Sequence, residues 1–158
     1  MADPVLRFEY PGPDIDDGRG DPGRRHFYLF KTERAVSEIQ IFDKGVKNNL
    51  HFHASEDGAW IVLGGRATFY GEGDRGEGDS VMGELTPFQG LLIPAGTKYW
   101  FESTGEEPLQ ILRVDYRVGE GAQNPTGASG FEVQNSYGAA RWSAYADEPH
   151  QAAVARRG

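Results

Sequence analysis

Apolar residues in this chain come in short runs, and glycine or proline closes most of them. The longest run, Ala59-Trp-Ile-Val-Leu63, ends at Gly64-Gly65. Helical periodicity is scarce, while 22 glycines and nine prolines punctuate 158 residues. Short apolar segments separated by turn residues build an all-β sandwich or barrel. The strand candidates are His26–Phe30, Ser37–Phe42, Leu50–Ala54, Ala59–Leu63, Arg66–Tyr70, Gly83–Leu85, Leu91–Ile93, Tyr99–Phe101 and Leu109–Tyr116. Val5–Tyr10 reads as an edge strand before a long loop. The apolar, Gly64-Gly65, apolar pattern reads as a tight hairpin.

The rest of the chain is loop-rich. Residues 3–25 carry Asp, Pro, Gly and Arg with no period. Gly71–Asp79 repeats Gly-Glu-Gly-Asp, but its spacing does not match a calcium loop, so it reads as a flexible hairpin tip. Residues 119–136 read as loop. In the tail, Tyr137, Trp142 and Tyr145 are placed to pin the chain onto the barrel or a partner, and His150 reads as solvated.

Length and charge exclude several function classes. One domain is the natural reading at this size. The net charge of −8 repels nucleic acid and anionic membrane surfaces, so neither is an expected partner. No apolar run approaches a membrane span. Cysteine is absent, which removes disulfides and thiol chemistry and fits a cytoplasmic location. Met1–Tyr10 lacks the basic start and apolar stretch of a secretory signal.

The chemistry points to residues 45–65. On a strand, residues i and i+2 share a face, so His51 and His53 project together and Phe52 projects away. Asp57 follows four residues later. Two imidazoles and a carboxylate in one cavity suit a divalent Fe, Zn, Mn or Ni ion. Glu56 is adjacent, but on an extended chain it points the other way from Asp57.

The same residues resemble the first motif of the cupin superfamily, with Gly45, His51, His53, Asp57 and Gly64 at the motif spacings and Asp in place of Glu. The second motif is matched at its turn, Pro94-Ala95-Gly96, with Gly90 shifted toward the proline. Tyr99 stands where that motif has a third His, and Ser103 where it has Asn. The resemblance implies a double-stranded β-helix, a jelly-roll barrel, over residues 26–118. Loop-rich extensions at 1–25 and 119–158 flank it, and a homodimer is implied. Metal-binding members supply three His and one Glu, so the implied ligands here are His51, His53 and Asp57.

Other residues complete the candidate site. Tyr99 is a ligand, an acid–base group or a core aromatic; with His53 it is a candidate for proton transfer. Gln40, Trp60, Arg113 and Tyr28 lie on strands that line a barrel, although Trp60 also reads as packing. Arg113 directed inward would bind a carboxylate, but the neighbouring Leu109, Ile111 and Leu112 leave its face ambiguous. His26 reads as structural or solvated. Three functions follow: a metal-dependent enzyme on a small organic substrate, which is the leading reading; a metal-free isomerase or epimerase using His/Tyr chemistry, as on nucleotide-linked sugars; or a non-catalytic small-molecule binder. The leading reading covers oxygenase, lyase, isomerase and cyclase chemistry.

Overall fold

The computed structural model describes residues 5–32, 34–71 and 80–118, with the backbone of Phe131–Val133. The expectations for residues 72–79, for most of 119–158 and for Tyr137, Trp142, Tyr145 and His150 lie outside the described residues.

Every regular element among the described residues is a strand. In chain order these are β1 (Arg24–Lys31), β2 (Ala35–Phe42), β3 (His51–His53), β4 (Glu56–Gly64), β5 (Ala67–Gly71), β6 (Ser80–Leu85), β7 (Gly90–Ile93), β8 (Tyr99–Ser103), β9 (Leu109–Arg117) and β10 (Phe131–Val133). They form two five-stranded sheets, ordered β1-β2-β9-β4-β7 and β10-β3-β8-β5-β6. All neighbours pair antiparallel. Among the described residues no helix is long and apolar enough to cross a membrane.

Three expectations about elements change. The expected hairpin at Gly64-Gly65 is a corner between sheets: β4 pairs with β9 and β7, whereas β5 pairs with β8 and β6. Gly65 makes the corner, with φ of 76° and a Cβ position only 2.7 Å from the Pro108 carbonyl oxygen. Only a residue without Cβ fits there. Val5–Tyr10 forms no strand. Its aromatics instead lie on the outer face of β1, with Phe8 6.0 Å from Phe30 and Tyr10 5.5 Å from Phe27. Within the expected loop at 119–136, β10 pairs along β3.

Strand parity sorts the interior into two ends. Phe42, Val62, Phe69, Phe101, Leu109 and Ile111 fill one end and are all fully buried. Their rings interlock: Phe69 and Phe101 stack at 4.8 Å, and Trp60 meets both edge-on at 5.6 and 5.2 Å. The other end, on the same inward rows, carries His26, Glu38, His51, His53, Tyr99, Arg113 and Asp115, all buried. On the outside of the first sheet a second apolar layer of Leu29, Ile39 and Ile41 is covered by Tyr10 and Ile15 of the N-terminal segment. That segment is tied down by Arg25 Nε donating to the Pro13 carbonyl (3.1 Å) and His26 N–H donating to Asp17 Oδ2 (2.9 Å).

Candidate active site at the polar end of the barrel

β3 holds His51 and His53 on one face by its pleat, and both are buried. The chain leading into β3 is fixed along β8, because Phe101 N–H donates to Asn48 Oδ1 at 2.7 Å and Asn48 N–H to the Phe101 carbonyl at 3.1 Å. His51 Nδ1–H donates to the Asn49 carbonyl at 2.6 Å, so its Nε2 carries the lone pair. Tyr99, which pairs with His51 in register, sends its hydroxyl to His53 Nε2 at 3.2 Å. Arg113 Nη2 donates to the same Nε2 at 3.1 Å. A guanidinium only donates, so His53 Nε2 is the acceptor and Nδ1 carries the hydrogen. Nδ1 faces Glu56 Oε2 at 3.5 Å, and Arg117 Nε stands 3.7 Å from the other Glu56 oxygen. A carboxylate–imidazole–phenol chain results: Glu56, His53, Tyr99.

Arg113 is the hub of the buried charges. It lies between Glu38 on β2 and Trp60 on β4, its registered neighbours. Its Nη1 is 3.5 Å from Glu38 Oε1, its Nη2 contacts Asp115 Oδ2, and its guanidinium carbon is 5.2 Å over the Trp60 ring. Glu38 is also held by His26 Nδ1 at 3.0 Å and by the Gln40 amide.

Burial and these charges shift the titrations. Burial pushes the Glu38 carboxyl up, but the charges and hydrogen bonds of His26, Arg113 and Gln40 outweigh it and hold Glu38 at about 2. Burial carries Asp115 to about 7 despite Arg113. His51 and His53 are driven well below the ordinary histidine range, first by burial; next comes His53 for His51, and Arg113 for His53. Both are neutral at pH 7. Burial also raises the Tyr99 phenol, which stays protonated.

A narrow crevice opens onto this chain. His53, Glu56, Gly58, Ile93, Pro94, Thr97 and Tyr99 line it. A Cβ on Gly58 would lie 2.9 Å from Asp115 Oδ1 and 3.3 Å from Trp60 Nε1, so the glycine keeps this wall open.

Solved structures share this architecture. One neighbour is an uncharacterized conserved protein with a double-stranded β-helix domain from Klebsiella pneumoniae, 16% identical, covering 74% of this chain and 89% of its own, with a TM-score of 0.57. Another is a cupin superfamily protein from Desulfitobacterium hafniense, 18% identical, covering 72% and 95%, with a TM-score of 0.53. This is a cupin fold. An oxalate oxidase is also similar, 16% identical over 68% of this chain and 59% of its own, with a TM-score of 0.53. No protein-family model matches the sequence, and no curated protein does.

Within the cupin barrel the predicted residues fall in different places. His51, His53 and Tyr99 come together, with ring centroids 4.5 Å (His51–Tyr99) and 5.1 Å (His51–His53) apart. Asp57 does not join them. Its Oδ1 accepts from Ala95 N–H at 2.8 Å, so it clamps the Pro94–Gly96 turn from outside. The carboxylate that meets His53 is Glu56, one residue earlier, because β4 begins at Glu56 and its even-numbered residues face inward. Arg113, ambiguous by parity, faces inward and is 1% exposed. Gln40 is buried behind Glu38, and Trp60 forms the floor beneath Arg113. Tyr28 lies on β1, where its hydroxyl accepts from Arg19 Nη2 at 3.1 Å. His26 proves buried and paired with Glu38.

Glu38 and Asp115 were not singled out from the sequence. A signal existed for both: an acidic residue alternating with Gln40 and Phe42 on one strand face, and an acid two residues after Arg113 on the same face.

The barrel offers one group that could hold a metal ion among the described residues. His53, Glu56 and Asp115 present ligand atoms within 4.8 Å of one another. However, Arg113 Nη2 sits on His53 Nε2 (3.1 Å) and on Asp115. A guanidinium and a divalent ion cannot use the same lone pairs, and their charges repel. As packed, these residues do not fit a resident divalent ion.

Proposed function

We propose that this chain is a cupin enzyme that moves protons on a small, oxygen-rich organic substrate at the polar mouth of the barrel, with no resident metal. The observation that supports it is the Glu56–His53–Tyr99 chain, all three members of which line the cleft. At neutral pH the imidazole is unprotonated and can accept a proton, and the phenol is protonated and can donate one. In the proposed step the substrate displaces the Arg113 and Tyr99 contacts from His53 Nε2, which then takes the proton from a carbon next to a carbonyl or carboxyl group. The Tyr99 hydroxyl gives its proton to the carbonyl oxygen, forming an enol. The His53 imidazolium then protonates the neighbouring carbon while the enol hydroxyl returns its proton to Tyr99, which isomerises the substrate. Alternatively, a leaving group on that carbon departs with the His53 proton as the enol hydroxyl returns its own to Tyr99, which is an elimination. Glu56 steadies the imidazolium. The oxalate oxidase among the neighbours accords with small carboxylates as a substrate class in this fold.

The test is a thermal-shift screen of small hydroxy acids, keto acids and sugars, followed by product detection by NMR on the binders. Tyr99→Phe and His53→Gln should bind the hit and lose turnover by about 10²–10⁴-fold. Exhaustive chelation should leave turnover unchanged. Activity that disappears on chelation and returns with a divalent metal would refute the metal-free assignment.

A second reading, a binding barrel without catalysis, is favoured by the packed aromatic floor of Trp60, Phe69 and Phe101. Tight binding of a hit with no turnover, equal in wild type and Tyr99→Phe, would select it.

A further inference from the structure

We propose that Arg113 is the built-in cation of this barrel: its guanidinium takes the place that a divalent ion would take among His53, Glu56 and Asp115, and those residues bind such an ion once Arg113 is withdrawn. Arg113 is 1% exposed and reaches Nε2 of His53 and an oxygen of Asp115 with one nitrogen, Nη2. His53 and Asp115 belong, with Glu56, to the group whose ligand atoms lie within 4.8 Å of one another. Ligands held at about 2.0–2.2 Å from an ion lie about 3–4.4 Å apart, so only a small closure separates this group from a coordination sphere.

Charge points the same way. Glu38, Glu56 and Asp115 surround the position, and Glu38 is fully buried. A buried acidic cluster needs a cation. Here the chain carries one on β9, in contact with Glu38 and Asp115. His51 shows the bond that orients a histidine ligand, an Nδ1–H to a backbone carbonyl. The surroundings are thus those of a metal centre, with a side chain serving as the charge.

The inference rests on the same cluster as the proton-transfer reading, but cobalt binding and turnover report separately. Cobalt bound by the Arg113 variant leaves the role of Tyr99 untouched, and turnover indifferent to Tyr99→Phe leaves that of Arg113 untouched. The experiment titrates Co²⁺ into wild type, Arg113→Met and Arg113→Met/Glu38→Gln, the last lowering the buried charge left unpaired. Absorption bands of bound cobalt, stoichiometry and thermal midpoint are read. Arg113→Met should bind one Co²⁺ per chain at least about a hundredfold more tightly than wild type, with a raised midpoint. Adding Asp115→Asn should abolish the gain. Wild type that binds one ion as tightly as the variant overturns the inference. So does a folded variant that gains no affinity. Variants that stay unfolded even in saturating cobalt also overturn it, because the ion then fails to replace the guanidinium.

Discussion

Asp115 and the two histidines pull stability in opposite directions as pH changes. Unfolded histidine binds a proton near pH 6.5, while folded His51 and His53 resist it. Between their lowered folded values and that pH the unfolded chain holds more protons, so stability rises with pH. Asp115 does the reverse: the folded protein keeps its proton to about pH 7, whereas the unfolded chain releases it near 3.8, so its contribution falls as pH rises across that window. Glu38 adds stability above about pH 4.5 that is lost as pH falls toward 2. Asp115→Asn removes the falling component. Urea melts between pH 4.5 and 6.5 should therefore show stability climbing more steeply with pH in Asp115→Asn than in wild type; equal slopes would remove Asp115 from the titration. Tyr99→Phe, by contrast, loses one buried hydrogen bond and keeps its ring, costing about 1 kcal/mol in the same melts. The residues legible in the sequence were those with a local signature: His51 and His53 by their i, i+2 spacing, Tyr99 by its motif position. Glu38 and Asp115 reach the site only through the pairing of β2 with β9, and local sequence carries no record of that register. Glu56 was hidden by a single-residue offset, which in a strand exchanges inside for outside.

At the scale of elements, most strands were legible because Gly and Pro mark their ends. Which sheet each strand joins was not legible. Gly64-Gly65 illustrates the reason. Two glycines between apolar runs signal a turn of the chain, but the partner strands decide whether it is a hairpin or a corner. The glycines also separate two kinds of cost. Gly65 combines a φ of 76° with a Cβ position 2.7 Å from a backbone oxygen, whereas Gly96 has a φ of 83° and nothing within 4 Å. Gly96→Ala should cost about 1–2 kcal/mol, the penalty of a left-handed residue alone. Gly65→Ala should cost visibly more, because the backbone at Pro108 must also move. Chemical denaturation of the two variants checks this; equal losses would mean that the corner yields easily. The Pro94–Gly96 turn was legible as a turn. Its attachment was not: Asp57 clamps it from one side, and Gly96 N–H donates to the His53 carbonyl at 2.7 Å.

On the scale of the whole molecule, the fold class was legible and the role of the N-terminal segment was not. A stretch of Asp, Pro and Gly reads as a loop, yet Tyr10 and Ile15 within it cover the outer layer of Leu29, Ile39 and Ile41. Tyr10 also donates its hydroxyl to Gln110 Oε1 at 3.0 Å. Removing residues 1–16 uncovers that layer and should cost roughly 3 kcal/mol or more, with increased binding of a hydrophobic dye. A truncated chain with unchanged stability would show that the layer tolerates water.

The two-ended interior has a consequence for isotopes. The groups at the mouth, His53, Tyr99 and Asp115, are at most 7% exposed; Tyr99 is hydrogen-bonded to His53, and Arg113 bridges His53 and Asp115. A proton lifted from a substrate by such a group exchanges slowly with solvent while the substrate is bound. Turnover of a deuterated substrate in ordinary water should therefore return part of the label to the product, and the retained fraction would measure how dry this end of the barrel stays during a catalytic cycle.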